Sequence, residues 1–180
     1  MFVAVSVPEE AKSAIASAVA PWRLEFSRAR WTPPENWHVT LKFLGATWPR
    51  LVEWVQEQVA IVAAEASAFQ TRVDGLGAFP SAGRARVLWA GLEDPDERTA
   101  RLVSDLDAAL AKEFRAQTRA FHPHLTVARS DPPLHLPETF WQTRLRTEVF
   151  RVDRLVLFRS HLRRPAPLYE QLASYPLGGG

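Results

Sequence analysis

Two tripeptides in this chain combine residue types that can move protons and hold an anion: His38-Val39-Thr40 and His124-Leu125-Thr126, 86 residues apart. In a strand, side chains two apart share a face, so each tripeptide presents an imidazole beside a hydroxyl while Val39 and Leu125 turn the other way. Imidazole titrates at about pH 6.5, so near neutrality one ring of a pair can be neutral while the other is protonated. One then suits a general base and the other a general acid. Two such strands facing one another would line a cleft. A phosphodiester between the rings could undergo in-line displacement, with the threonine hydroxyls donating to its non-bridging oxygens. Either tripeptide alone is more simply read as an ordinary strand histidine; the repetition in matching contexts carries the chemical reading.

Competing chemistries are weaker. The chain has no cysteine, which removes disulfide frameworks, thiolate metal sites and cysteine nucleophiles. His122-Pro123-His124 offers two metal ligands, but no third stands at short spacing. A nucleophile-elbow sequence for Ser-His-Asp catalysis and a phosphate-cradling Gly-rich loop are both lacking. His135 and His161 read as surface residues. Trp31 and Trp37 flank the first tripeptide, as core anchors or as platforms for a base.

With 180 residues, 47% hydrophobic and 23% charged, the chain can bury a core of its own without staples. Met1 to Val7 has no basic leader and meets Pro8 and two glutamates, and no window approaches the roughly 20 apolar residues of a membrane span. A cytoplasmic protein, monomeric and without a membrane partner, is the expectation. The net charge is +2, yet seven arginines from Arg144 to Arg164 face only Glu148, Asp153 and Glu170 in the last forty residues. That basic end suits a phosphate-bearing partner or, equally, a solvated surface.

The elements that must position the tripeptides alternate between strand and helix. Phe2 to Val7 reads as a buried strand, and an Ala-rich helix follows from Pro8 to about Arg28, broken or kinked at Pro21. The strand Trp37 to Leu44 carries the first tripeptide; Thr47 is the expected cap of a helix with the stripe Leu51, Val55, Val59, Val62. Strands at Phe69 to Leu76 and Arg84 to Leu92 precede a capping box of Asp94, Pro95 and Glu97, which opens a helix with the stripe Leu102, Leu106, Leu110, Phe114. The second tripeptide lies on a strand from Pro123 to Arg129 that Asp131-Pro132-Pro133 should end. A short helix near Glu138 to Leu145 and strands at Val149 to Arg159 and Tyr169 to Tyr175 complete the chain. The halves echo one another coarsely, so the expectation is an α+β chain spanning 1–180 as one domain of two similar lobes, with the seam near 78–95.

In its extended form the first motif is His38-Val39-Thr40-Leu41-Lys42-Phe43-Leu44-Gly45, preceded by Trp31-Thr32-Pro33-Pro34-Glu35-Asn36-Trp37; the second is Phe121-His122-Pro123-His124-Leu125-Thr126-Val127-Ala128-Arg129. Together they resemble the two motifs of the two-histidine (2H) phosphoesterases, in the RNA 2′,3′-cyclic phosphodiesterase branch also called 2′-5′ RNA ligase. The N-terminal strand, Arg86-Val87-Leu88-Trp89 and Leu157 to Leu162 also fit. The resemblance implies a bilobal fold of two antiparallel sheets with flanking helices, related by a pseudo-twofold about a central cleft. It implies metal-independent, cofactor-free opening of an RNA or nucleotide 2′,3′-cyclic phosphate to a 2′-phosphate. His38 and His124 would form the acid–base pair, with His38 the acid and His124 the base, and Thr40 and Thr126 would bind phosphate. Phe43 and Arg129, each five residues past its histidine, match positions that contact nucleotide or phosphate. Strict alternation turns these two away from the cleft, so the strands must end or twist there. Val127 replaces the family's leucine, and Ala166 stands at its glycine position. Ligation, hydrolysis of another cyclic phosphate or of a 2′-5′ linkage, and a non-catalytic RNA- or nucleotide-binding module are the alternatives.

Overall fold

The computed structural model describes residues 1–94, 96–163 and 166–178. Its strands are β1 (Phe2–Ser6), β2 (Arg30–Trp31), β3 (His38–Phe43), β4 (Phe69–Thr71), β5 (Val73–Phe79), β6 (Ala85–Leu92), β7 (His124–Leu134), β8 (Phe150–Val152), β9 (Arg154–His161) and β10 (Leu168–Pro176). Its helices are α1 (Glu9–Glu25), α2 (Val52–Glu65), α3 (Arg98–Ala109) and the single turn α4 (Glu138–Trp141). The fold is α+β with two antiparallel sheets. They are unequal: one sheet runs β10-β9-β1-β3-β7-β6-β5 with β2 beside β7, and β4 with β8 makes a two-stranded ribbon.

The path of the large sheet is symmetric about its middle. β3 is flanked by β1 and then β9; β7 is flanked by β6 and then β5. The two halves join at one residue pair, Val39 opposite Leu125, the central residues of the two tripeptides. Both are fully buried. The buried face of the sheet meets the helices, which bring Val55, Val59 and Val62 from α2 and Leu102, Val103 and Leu106 from α3. Leu110 and Phe114 continue the α3 stripe beyond the helix, in the turns that follow it. α1 buries Ala11, Ile15, Val19 and Trp22, and the Trp22 indole donates to Thr143 Oγ1 at 3.0 Å while packing edge-on against Phe140.

Several local expectations change. α1 runs through Pro21, which is solvent-exposed in its final turns, so water can serve the carbonyl that proline leaves unbonded. Thr47 does not cap α2: a 3-10 turn at Pro49–Leu51 leads into the helix, and the Thr47 hydroxyl turns back to the Gly45 carbonyl. Asp94 does cap α3, but from further away, its two carboxylate oxygens accepting from the Thr99 and Ala100 amides at 3.0 and 3.1 Å. Glu97, at φ 55°, is the residue before the helix and not its third; Pro95 lies outside the described residues. β7 continues through Asp131-Pro132-Pro133 to Leu134, because the β6 register skips between Val87–Arg129 and Ala85–Leu134, so no ladder bond needs a proline N–H. The final long strand is divided by Asp153, giving β8 to the ribbon and β9 to the large sheet.

Candidate active site

The antiparallel pairing of Val39 with Leu125 fixes what surrounds it. One step either way along the ladder, His38 comes opposite Thr126 and Thr40 opposite His124. Because Val39 and Leu125 face the core, all four of these side chains share the other face, where each is half-buried. Each imidazole thus sits beside the partner strand's hydroxyl as well as near its own.

Phe43 and Arg129 reach the same face by matching irregularities. In the β1–β3 ladder Ala4 pairs with Thr40 but Val3 with Lys42, so Leu41 is an extra residue on β3. In the β6–β7 ladder Trp89 pairs with Thr126 but Leu88 with Ala128, so Val127 is an extra residue on β7. Each bulge falls three residues past its histidine and shifts the alternation by one. Leu41 and Lys42 are buried in succession, as are Val127 and Ala128, and Phe43 and Arg129 emerge exposed on the site side. The twist that the spacing demands is therefore present on both strands.

Aromatic rings frame both histidines. Phe2 from β1 stacks on His38 with ring centres 4.6 Å apart, Phe158 from β9 lies at 5.9 Å, and Tyr169 from β10 meets it edge-on at 5.2 Å. On the other side Phe79 from β5 meets His124 edge-on at 5.1 Å and Trp89 from β6 lies at 6.0 Å. The Trp89 indole lies over Gly77, where any Cβ would collide with it. None of the five rings belongs to a tripeptide; Phe2, Trp89 and Phe158 lie on segments that share the family resemblance, but nothing in the sequence says that they meet at the histidines.

Burial disfavours the charged imidazole at both positions. It pulls His38 down to about 4; the Asn36 backbone two residues earlier acts in the opposite sense, and the Lys12 charge adds a smaller push downward. His124 is lowered by the same cause, opposed by its bond to the His122 carbonyl, and lowered further by the charges of His122 and Arg129. The His124 Nδ1–H donates to that carbonyl at 2.6 Å, which leaves Nε2 to act on a substrate. The Arg129 charge also lowers Tyr169, which packs edge-on against His38, although burial raises that phenol overall.

Residues 8–164 match the model of the 2′-5′ RNA ligase superfamily. The chain belongs to that superfamily. It is 32% identical to an RNA 2′,3′-cyclic phosphodiesterase of Geobacillus stearothermophilus over 99% of its length, although it spans only 57% of that protein. An RNA 2′,3′-cyclic phosphodiesterase of Thermus thermophilus is 30% identical over 99% of this chain and 90% of its own. The solved structure of TT0787 from Thermus thermophilus superposes with a TM-score of 0.85 at 29% identity, covering 99% of this chain and 97% of that one.

The remaining candidates fall outside the shared face. Trp37 is buried in the core and cannot offer a platform to a base; Trp31 is partly buried beside β7, its indole bonded to the Phe26 carbonyl. His122 and His135 are exposed, and His161 bonds Glu170 at 2.8 Å. Among the described residues no three histidine or carboxylate side chains converge as a metal would require. Among them, too, no helix is long and apolar enough to cross a membrane. Three arginines of the basic end have carboxylate partners: Arg146 pairs with Asp74 and Glu93, Arg154 with Asp153, and Arg159 approaches Glu170. Arg164 lies outside the described residues. The loop carrying Ala166 is tied to the first motif, Asn36 Nδ2 donating to the Pro167 carbonyl at 2.8 Å.

Proposed function

We propose that this chain hydrolyses the terminal 2′,3′-cyclic phosphate of RNA to a 2′-phosphate, by two-histidine acid–base catalysis that needs no metal or other cofactor. The observation that carries this reading is the Val39–Leu125 pair, which sets His38, Thr40, His124 and Thr126 on one open face of a continuous sheet. The names of the Geobacillus and Thermus relatives support the substrate class.

Thr40 and Thr126 bind the non-bridging oxygens, and Arg129 balances their charge. His124, neutral and with Nε2 free, takes a proton from water as the water oxygen bonds to phosphorus. The bond from phosphorus to the 3′ oxygen breaks, and His38 gives that oxygen its proton. A His38 lowered to about 4 is neutral in the free protein near pH 7, so its proton is taken up with the substrate. The phosphate anion favours the imidazolium, as does the face of the Phe2 ring stacked on it. We further propose a cytoplasmic monomer of one domain with two lobes.

The test is chromatographic identification of the product formed from a 2′,3′-cyclic nucleotide, with and without EDTA. The 2′-monophosphate is expected in both. A 3′-monophosphate would reverse the leaving group, and loss of turnover in EDTA would overturn the metal-free mechanism. Parallel assays with a 2′-5′ oligonucleotide and with paired cyclic and 5′-hydroxyl RNA ends separate 2′-5′ hydrolysis and ligation. Binding without turnover would favour a binding module.

A further inference from the structure

A cavity of about 530 Å³ opens beside the site, lined among others by Phe43, Trp48, Arg50, Glu113, Phe114 and Arg115. Phe43 belongs to both places: the bulge turns it onto the site face, its ring lies 6.2 Å from Phe2, and Phe2 stacks on His38. The cavity therefore begins where the candidate active site ends.

Its chemistry is aromatic and cationic. Phe43 is 68% exposed and Trp48 70% exposed, and Arg50 and Arg115 are exposed beside them, with Glu113 the single carboxylate on the lining among the described residues. The wall is held in place from beneath. Buried Lys42 donates to the Arg115 carbonyl at 2.6 Å, and Trp54 stacks on Phe114 with the rings 13° from parallel. Exposed aromatic faces next to guanidinium groups bind single-stranded nucleic acid, the rings stacking on bases and the cations following the backbone.

We propose that this cavity is a subsite for single-stranded RNA, taking the nucleotides on the 5′ side of the one that bears the cyclic phosphate. The proposal rests on the functional reading above and extends it from a cyclic nucleotide to an RNA end. A terminal cyclic phosphate leaves the strand only one direction in which to continue, and Phe43 marks the point where terminal nucleotide and upstream strand would meet. Trp48 stacks on an upstream base, and Arg50 and Arg115 face its phosphates.

The experiment compares a mononucleoside 2′,3′-cyclic phosphate with a tetranucleotide ending in the same group, in the native protein, Trp48→Ala and Arg50→Gln/Arg115→Gln. The native protein should show a KM for the tetranucleotide about tenfold lower. Each variant should lose most of that advantage, since a stacked base or a pair of phosphate contacts accounts for about a tenfold change in affinity, while mononucleotide turnover stays as in the native protein. The double arginine variant should also flatten the salt dependence. Binding of a fluorescent tetranucleotide 2′-phosphate, measured by anisotropy, is read independently of turnover. Weaker binding to the variants supports the subsite even if the native protein hydrolyses neither substrate, a result that would sink the functional reading alone. Equal binding to native protein and variants, turnover of both substrates with no tetranucleotide preference, or preferential capture of an acidic peptide would overturn the subsite.

Discussion

Strands β3 and β7 carry the same device, a histidine and a threonine followed by a bulge, but the two bulges are held by different means. On β3 the Leu41 carbonyl accepts from the Gln117 side-chain amide at 2.6 Å, and the next residue, Lys42, is a fully buried cation paired with Asp107. Asp107 in turn accepts from the Gln117 amide N–H at 2.9 Å. On β7 the Val127 carbonyl accepts from the Thr32 backbone N–H at 2.9 Å, and the residue matching Lys42 is Ala128, wholly buried and apolar. One bulge depends on side chains brought from 65 to 76 positions along the chain, and the other on main-chain pairing with β2. Equivalent geometry therefore differs in how easily a substitution can undo it.

The largest expected effect should be the one in which the two strands do not differ. His38→Ala and His124→Ala should each lower kcat by about 10²–10⁴-fold, the ordinary contribution of a positioned acid or base. The variants' near-UV circular dichroism should match the native protein. If one variant retained native turnover, the equivalence of the strands would be broken and the two-histidine mechanism with it.

Lys42 separates the strands next. Lys42→Met leaves the Asp107 carboxylate, which is 15% exposed and still accepts from the Gln117 backbone N–H, with no cation beside it, at a cost of about 2–3 kcal/mol, below the roughly 3–5 kcal/mol of a wholly buried pair. Urea denaturation should show a loss of that order, while Ala128→Gly, a truncation at the equivalent β7 position, should cost about 1 kcal/mol. Recovery in Lys42→Met/Asp107→Leu would show that the unpaired charge, and not the lost lysine stem, causes the damage. Equal losses at the two positions would mean that the ion pair does not distinguish β3.

The histidines themselves also differ, His38 being held further below its ordinary range than His124. Between about pH 6.5 and 4 the unfolded chain protonates this residue and the folded one does not, so stability is full above 6.5 and falls as the pH drops toward 4. A shift of that size corresponds to about 3 kcal/mol at the lower end. His38→Asn should remove most of this slope in urea titrations at pH 7, 5.5 and 4.5, and His124→Asn less of it. In kinetics both limbs of kcat/KM should lie below pH 6.5, with the alkaline limb of kcat displaced upward because bound phosphate favours the imidazolium. A slope unchanged by His38→Asn would show that burial does not depress it.

What the sequence discloses follows the range of the interactions involved. The tripeptides, their shared face and the helix stripes are local periodicities, so His38, Thr40, His124 and Thr126 can be found without coordinates. The bulges are half legible: Phe43 and Arg129 stand five residues past a histidine, which demands a shift of register, but nothing nearby says how the shift is held. The aromatic frame is not legible, because Phe2, Phe158 and Tyr169 meet at His38 only through the β1–β9–β10 order of the sheet. Thr47 and Asp131-Pro132-Pro133 mislead for a related reason. Capping and strand-breaking rules assume regular geometry, and a 3-10 entry and a skipped ladder remove the conditions under which they hold.

The smallest effect is the most discriminating, because it compares the two bulges bond for bond. Gln117→Ala deletes the donor to the Leu41 carbonyl and should cost about 1 kcal/mol in stability. It should also raise KM for a nucleotide substrate severalfold through misplacement of Phe43, with kcat nearly unchanged because His38 and Thr40 precede the bulge. Thr32→Ala leaves the main-chain donor to Val127 intact and should change stability by less than about 0.5 kcal/mol, with no effect on KM. Gln117→Glu keeps the shape of the side chain but replaces the donor with an acceptor against a carbonyl, so it should be worse than alanine. If Gln117→Ala and Thr32→Ala behaved alike, the Leu41 bulge would be maintained by the β1 ladder alone, and the side-chain dependence of β3 would reduce to Lys42.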